Sequence, residues 1–184
     1  MHTRSSLKTS FEVQASKNSV DDLIYLRQAF DGRWTPQNLR RASLNQLVLV
    51  LDQTIVPSHV DGEISFEWLE ARDQSGNRLT DGKYLIYRPL RTLHANLIGN
   101  ARGFRSRIHL NWVDKQAVLE TNSKWLAAYT LLDAEVSREF SIQEMNWEAG
   151  VKCANILDVD YRVVRFAPMP LREFSVFLSL QLGR

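Results

Sequence analysis

Glu63-Ile64-Ser65-Phe66-Glu67-Trp68 alternates polar and apolar residues without a break. Successive side chains on a strand point to opposite faces. The stretch therefore predicts a β-strand with Ile64, Phe66 and Trp68 turned to a core and Glu63, Ser65 and Glu67 turned to water. Just upstream, Leu47-Val48-Leu49-Val50-Leu51 reads as a strand buried on both faces, extended by Thr54-Ile55-Val56 and stopped at Pro57. Just downstream, Ser75-Gly76-Asn77 and Asp81-Gly82 are turn signals, and Tyr84–Tyr87 predicts the next strand.

Working outward, Phe11–Ala15 alternates and predicts a short strand. Ser19-Val20-Asp21-Asp22 predicts a helix start, because Ser19 can cap free N–H groups and the aspartates suit the positive end of the dipole. Leu23, Leu26, Ala29 and Phe30 follow at helical spacing, so one helix is expected over about 19–31, ended by Gly32. Asn96, Gly99, Asn100 and Gly103 predict a long loop over 92–103. Arg105, Arg107 and His109 alternate with Ile108, Leu110 and Trp112, which puts basic and apolar residues on opposite faces of a strand. Val118-Leu119 belongs to another short strand. Residues 124–132 fit helix and strand spacing alike; the Trp, Tyr and Thr content favours strand, while Asn122 or Ser123 would cap a helix. Phe140–Ile142, Tyr161–Phe166 and Phe174–Leu180 read as strands, the last with Ser175 and Ser179 outward. About eight or nine short strands with one early helix predict a mainly β fold: a single-domain antiparallel β-sandwich of jelly-roll type over 11–184, preceded by a flexible segment over 1–10.

The chain has 184 residues, is 44% apolar and carries a formal net charge of +2, which excludes disorder as its main state. A single cysteine, Cys153, excludes an internal disulfide and any multi-cysteine metal centre. No run is long and apolar enough for a membrane helix, and the first residues lack the apolar core of a signal peptide.

The charge is segregated. Lys83, Arg88, Arg91, Arg102, Arg105 and Arg107 lie between Gly82 and Val113 with no acidic residue, so this window is +6 and the remainder 2 − 6 = −4. Arginine suits bidentate contact with phosphate, and Arg105, Arg107 and His109 would form a rail for a nucleic-acid backbone or meet anionic lipid headgroups. Arg33, Arg40 and Arg41 beside Trp34 form a secondary patch, with Trp34 able to stack on a base or pack its loop. The opposing reading is a solvated face paired with the acidic stretch Asp61–Asp73.

No nucleotide-binding loop, nucleophile elbow or metalloprotease motif is present, and His2, His59, His94 and His109 share no ligand spacing. Asp158 and Asp160 would share one strand face and could hold a cation, although a solvated face explains them as well. No metal, cofactor or catalytic residue is assigned.

Residues from about Leu44 to Val151 resemble the thirty-kilodalton superfamily of plant-virus movement proteins and the related jelly-roll coat proteins. The resemblance rests on Leu47–Leu51, then Gly62 through Trp68, Glu70 at the hallmark aspartate position with Arg72 two places on, and the blocks Ile108–Trp112 and Trp125–Leu132. A competing resemblance, to rhabdovirus matrix proteins, follows Phe11–Val13, the 19–30 segment, Leu47–Leu51 and Phe66-Glu67-Trp68 with Arg72. These resemblances imply a non-enzymatic viral protein of the host-cell cytoplasm or virion. It would self-associate and bind single-stranded RNA, or as a matrix protein touch an anionic membrane peripherally. A cellular enzyme or ligand binder on a β scaffold is the further alternative.

Overall fold

The computed structural model describes residues 7–28, 33–142 and 145–181. Among these residues are ten strands: β1 (Thr9–Gln28), β2 (Trp34–Val56), β3 (Val60–Asp73), β4 (Arg91–Ala101), β5 (Phe104–Val113), β6 (Gln116–Ala117), β7 (Trp125–Leu126), β8 (Tyr129–Ile142), β9 (Met145–Ala154) and β10 (Glu173–Gln181). Eight of them form one antiparallel sheet in the order β1-β2-β3-β4-β5-β8-β9-β10, while β6 and β7 make a separate small ribbon. Each strand of the sheet pairs with the next in sequence, so the path is a plain up-and-down meander.

The mainly β expectation holds, but the jelly-roll sandwich does not. Consecutive hairpins build one sheet, and among the described residues no second large sheet packs on it. Among the described residues there is no helix. Ser19–Gln28, expected as most of a helix, continues β1 in register with β2: Val20 faces Ala42, Leu23 faces Leu39, and Tyr25 faces Gln37. Long-range pairing along a hairpin overrides the local capping signal of Ser19 and the aspartates. Asp21 pairs instead with Arg41 at 2.9 Å, and Asp22 takes a positive φ of 54°. The rest of the expected helix, residues 29–31, and most of the expected flexible segment, residues 1–6, lie outside the described residues.

Three other expectations shift. The 92–103 stretch is not a loop: Arg91–Ala101 is β4, its Asn and Gly residues lying within the ladder, and only Arg102-Gly103 turns. Tyr84–Tyr87 and Tyr161–Phe166 lie in connections rather than strands: Tyr84 forms an isolated bridge with Arg72 of β3, the Tyr87 N–H bonds the Ala117 carbonyl of β6, and Val164 bridges to Ala167 within its own connection. The short strand expected at Val118-Leu119 falls two residues earlier, at β6. In the ambiguous 124–132 region the strand reading is correct, as β7 and the start of β8.

The connections sort by end. At one end β2 turns to β3 through Pro57–His59, β4 to β5 through Arg102-Gly103, and Ile142 pairs with Met145. At the other end the connections are long: 74–90, 114–128 and 155–172. These fold against the sheet, and most of the buried residues gather there: Ala42, Ala71, Ile86, Val113, Ala117 and Val118, with the polar Asp73, Asp114, Gln116 and Asn155. No large side chain among the described residues is fully buried. A sandwich of this length would bury many.

Candidate functional site: an apolar belt backed by a polar wall

The register fixes which residues share a face. One row runs Phe11–Leu51–Ile64–Ala95–Leu110–Leu132 across β1, β2, β3, β4, β5 and β8. The next runs Val13–Leu49–Phe66–Leu93–Trp112–Thr130. Further along the strands, Leu97–Ile108–Ala134–Cys153–Phe174 and Val136–Val151–Val176 carry the same face to β10. These rows make an apolar belt across the whole sheet, and it is exposed: Phe174 is 75% and Val176 82% accessible. The direction expected for Ile64, Phe66 and Trp68 is therefore reversed, since they point away from the protein rather than into a core.

The opposite face is a polar wall. Its rungs run Glu63–Asn96–His109–Asp133 and Ser65–His94–Asn111. The rung of Arg107, Glu135 and Lys152 joins opposite charges. Arg107 meets Glu135 at 3.3 Å. His94 and His109 stack at 6.2 Å, and His109 Nδ1 lies 2.6 Å from Asn96 Oδ1. Ser175 and Ser179, expected outward, are on this wall opposite Lys152 and Glu148.

The belt does not cross the sheet at a right angle to the strands. Its centre in β1, Val13, lies on the row of Leu93, while its centre in β10, between Val176 and Leu178, lies on the rows of Gly99 and Ala101. On β4 that is a slip of 99 − 93 = 6 to 101 − 93 = 8 residues over the seven steps between eight strands. With about 3.3 Å per residue and about 4.8 Å between strands, the strands tilt about 30–40° from the belt's normal, close to the tilt a closed barrel demands. Aromatic residues mark both edges: Trp68 and Trp112 toward the long connections, Phe104, Phe140 and Trp147 toward the short turns. Such girdles flank the apolar band of barrels that cross membranes.

Beyond the belt, the long connections are pinned by side chains. Arg72 Nε donates to Glu70 at 2.7 Å, Nη1 to the Gly82 carbonyl at 2.7 Å and Nη2 to the Tyr84 hydroxyl at 3.0 Å. Asn122 clasps Tyr84 from both sides, accepting from its N–H at 2.7 Å and donating to its carbonyl at 2.9 Å. The Tyr25 hydroxyl donates to Glu120, and the Trp34 ring lies 5.9 Å from that of Tyr87. A cavity of about 300 Å³ opens here, lined by Leu23, Tyr25, Leu39, Tyr84, Tyr87 and Arg88 among others. In the last connection Asn155, at φ 49°, accepts from the Val159 N–H, donates to the Val159 and Pro170 carbonyls, and through its own N–H reaches Asp133.

The basic residues singled out in sequence are not brought together. Their window runs through a connection, down β4, around a tight turn and up β5, so linear density becomes spatial dispersion. Lys83 and Arg88 sit in the 74–90 connection, and Arg102 is at the far turn. The ends of β4 alone are about 35 Å apart at strand rise. Arg91 is tied to Asp114 at 2.7 Å and Arg107 to Glu135. Arg105 is on the polar face opposite Ser137, and His109 is engaged by Asn96. Of the secondary patch, Arg41 pairs with Asp21, Trp34 packs by Tyr87, Arg33 precedes β2, and the Arg40 side chain lies outside the described residues. Asp158 is in a connection, accepting from the Arg172 N–H, rather than on a strand with Asp160. Among the described residues no cluster of three metal-ligating side chains forms. No described helix is long and apolar enough to cross a membrane, a statement that leaves strands untouched.

A meander with one apolar exposed face, one hydrogen-bonding face, a barrel-like stagger and aromatic edges defines a class: it is built as a segment of β-barrel wall. Comparison with known proteins agrees at the level of fold. No family model and no curated protein matches the sequence. Solved structures do. The ferric preacinetobactin receptor of Acinetobacter baumannii is similar over 95% of this chain at 14% identity and TM-score 0.70, with 26% of the receptor covered. The ferric yersiniabactin uptake receptor of Yersinia pestis is similar over 96% at 15% identity and TM-score 0.68, with 26% covered. The copper transporter OprC is similar over 93% at 15% identity and TM-score 0.69, with 28% covered. The chain thus spans about a quarter of the length of these proteins.

These matches overturn the viral reading. The fold is similar to that of outer-membrane receptors and a copper transporter, not to movement, coat or matrix proteins, so the expected RNA partner, self-assembling role and location in cytoplasm or virion fall with it. The belt residues are legible in the sequence, but the side expected for them is the wrong one. Alternation gives the period of a strand but not the solvent on either face.

Proposed function

We propose that this chain forms part of the wall of an outer-membrane β-barrel that takes up small metal-carrying ligands. The observation that carries the reading is the apolar belt, continuous over all eight strands and backed by a polar wall. Leaving such a surface in water costs about 25 cal/mol per Å² of apolar area, whereas acyl chains cover it at no such cost. The belt then lies in the bilayer, the polar wall lines the interior, the short turns face the periplasm and the long connections face outward. In place of peripheral membrane contact, the strands cross. β1 and β2, at 20 and 23 residues, exceed the 9–11 or so needed to span and carry the outer hairpin well clear of the lipid.

The uptake role draws support from the similar structures, receptors for ferric preacinetobactin and ferric yersiniabactin and a copper transporter, and from the aromatic cavity among the long connections. The wall is non-enzymatic in this reading. Membrane fractionation followed by tryptophan quenching with ferric siderophores and with copper tests it. Recovery in the outer membrane and saturable quenching are expected. A water-soluble product with no quenching would overturn it.

A further inference from the structure

Arg138 is the exception in the belt. It lies on the apolar face of β8 between Val136 and Phe140, opposite Ala149 on one side and Phe104 on the other. Its row is about three residues from the centre of the belt in β8 toward the short turns, which with strand tilt is about 8 Å along the membrane normal. A cation at that depth is costly unless its long side chain carries the charge to the interface. Here the guanidinium lies over the ring of its cross-strand partner Phe104, 5.0 Å from the centroid, and Phe104 stands at the short-turn edge of the belt. The adjoining turn residue is a second arginine, Arg102, held at φ 52°. Neither arginine has an acidic partner among the described residues, in contrast to Arg41, Arg72, Arg91 and Arg107, each of which does. Glu139, the nearest acid in sequence to Arg138, belongs to the polar wall, paired across from Glu148.

We infer that Arg138 and Arg102 form a site for an anionic phospholipid headgroup, one whose phosphate charge no choline offsets, in the leaflet on the short-turn side, with Phe104 holding the Arg138 guanidinium. The inference rests on the barrel-wall reading. Two arginines without an ion pair among the described residues, one on the belt and one in the turn that ends it, complement an anionic headgroup. Guanidinium suits the site because its fork grips two phosphate oxygens while its plane stacks on the ring.

The test is partitioning of the full 184-residue chain into vesicles of phosphatidylcholine alone and of phosphatidylcholine with phosphatidylglycerol. The mixed vesicles are expected to be preferred, by about fivefold for each engaged arginine. Arg138→Leu should reduce that preference while improving partitioning into the neutral vesicles, since a charge leaves the belt. Arg138→Lys should keep much of the preference. Arg165→Leu, an equal charge change in a long connection at the other end, should keep all of it. Equal loss in Arg138→Leu and Arg165→Leu, or a wild-type chain that enters both vesicles without preference, overturns the phosphate site and leaves the wall reading standing. Entry into neither vesicle overturns both.

Discussion

The Phe177 ring closes over Gly150, its partner across β9 and β10 on the polar wall. A Cβ added at Gly150 would stand 2.6 Å from Phe177 Cε1 and 2.9 Å from the Ser137 Cβ. The glycine is therefore a socket, and the aromatic ring replaces the packing its missing side chain would have given. Gly150→Ala must push Phe177 out and is expected to destabilise the β8-β9-β10 region by about 1–3 kcal/mol. Denaturant titration in detergent measures it, and the double variant Gly150→Ala with Phe177→Ala should recover part of the loss.

The two faces of β10 differ in what surrounds them, so neighbouring positions should respond oppositely to charge. Val176→Arg puts a cation in the middle of the belt and is expected to cost about 2–4 kcal/mol of folding in bilayers. Ser175→Arg, one residue away on the polar wall opposite Lys152, should cost well under half as much. Heat-modifiable migration on gels gives the folded fraction of each.

Asn155 is expected to hold the whole 155–172 connection. Alanine there loses the bonds to Val159 and Pro170 and inherits a positive φ. The combined cost is about 2–3 kcal/mol. Limited proteolysis should show new cuts between 156 and 172, while the belt strands remain protected.

Arg72→Lys should free the 74–90 connection without touching the belt. Lysine keeps the charge near Glu70 but loses the fork that grips Gly82 and Tyr84. Faster amide exchange at Asp73 and Gly82, whose N–H groups bond to the Lys83 and Asp73 carbonyls, is the expected readout.

Much of the sheet is legible in the chain. Glu63–Trp68, Arg105–Trp112 and Phe174–Leu180 show their period of two openly, and the register keeps it. What the chain conceals is relational. Ser19-Val20-Asp21-Asp22 carries a valid local helix start, but Ala42 and Arg41 across the hairpin decide its fate. Asn96 and Gly99 look like breakers, yet both lie in the ladder of β4, Gly99 with Ser106 Oγ 2.8 Å from where a Cβ would stand. Arg91 and Arg102 look like neighbours in one basic window and stand at opposite ends of a strand. The sidedness of Ile64, Phe66 and Trp68 depends on whether lipid or protein lies beyond them, which alternation alone does not encode.

The central claim is that the apolar face meets lipid and the polar face meets water. Spin labels at successive positions from Arg107 to Trp112 in β5, a strand paired on both sides, test it most directly when the chain is reconstituted in bilayers. Labels at Ile108, Leu110 and Trp112 should collide with oxygen and be shielded from a water-soluble nickel chelate, and labels at Arg107, His109 and Asn111 should show the reverse. Accessibility to the nickel chelate at Ile108 and Leu110 equal to that at His109 and Asn111 would contradict the account.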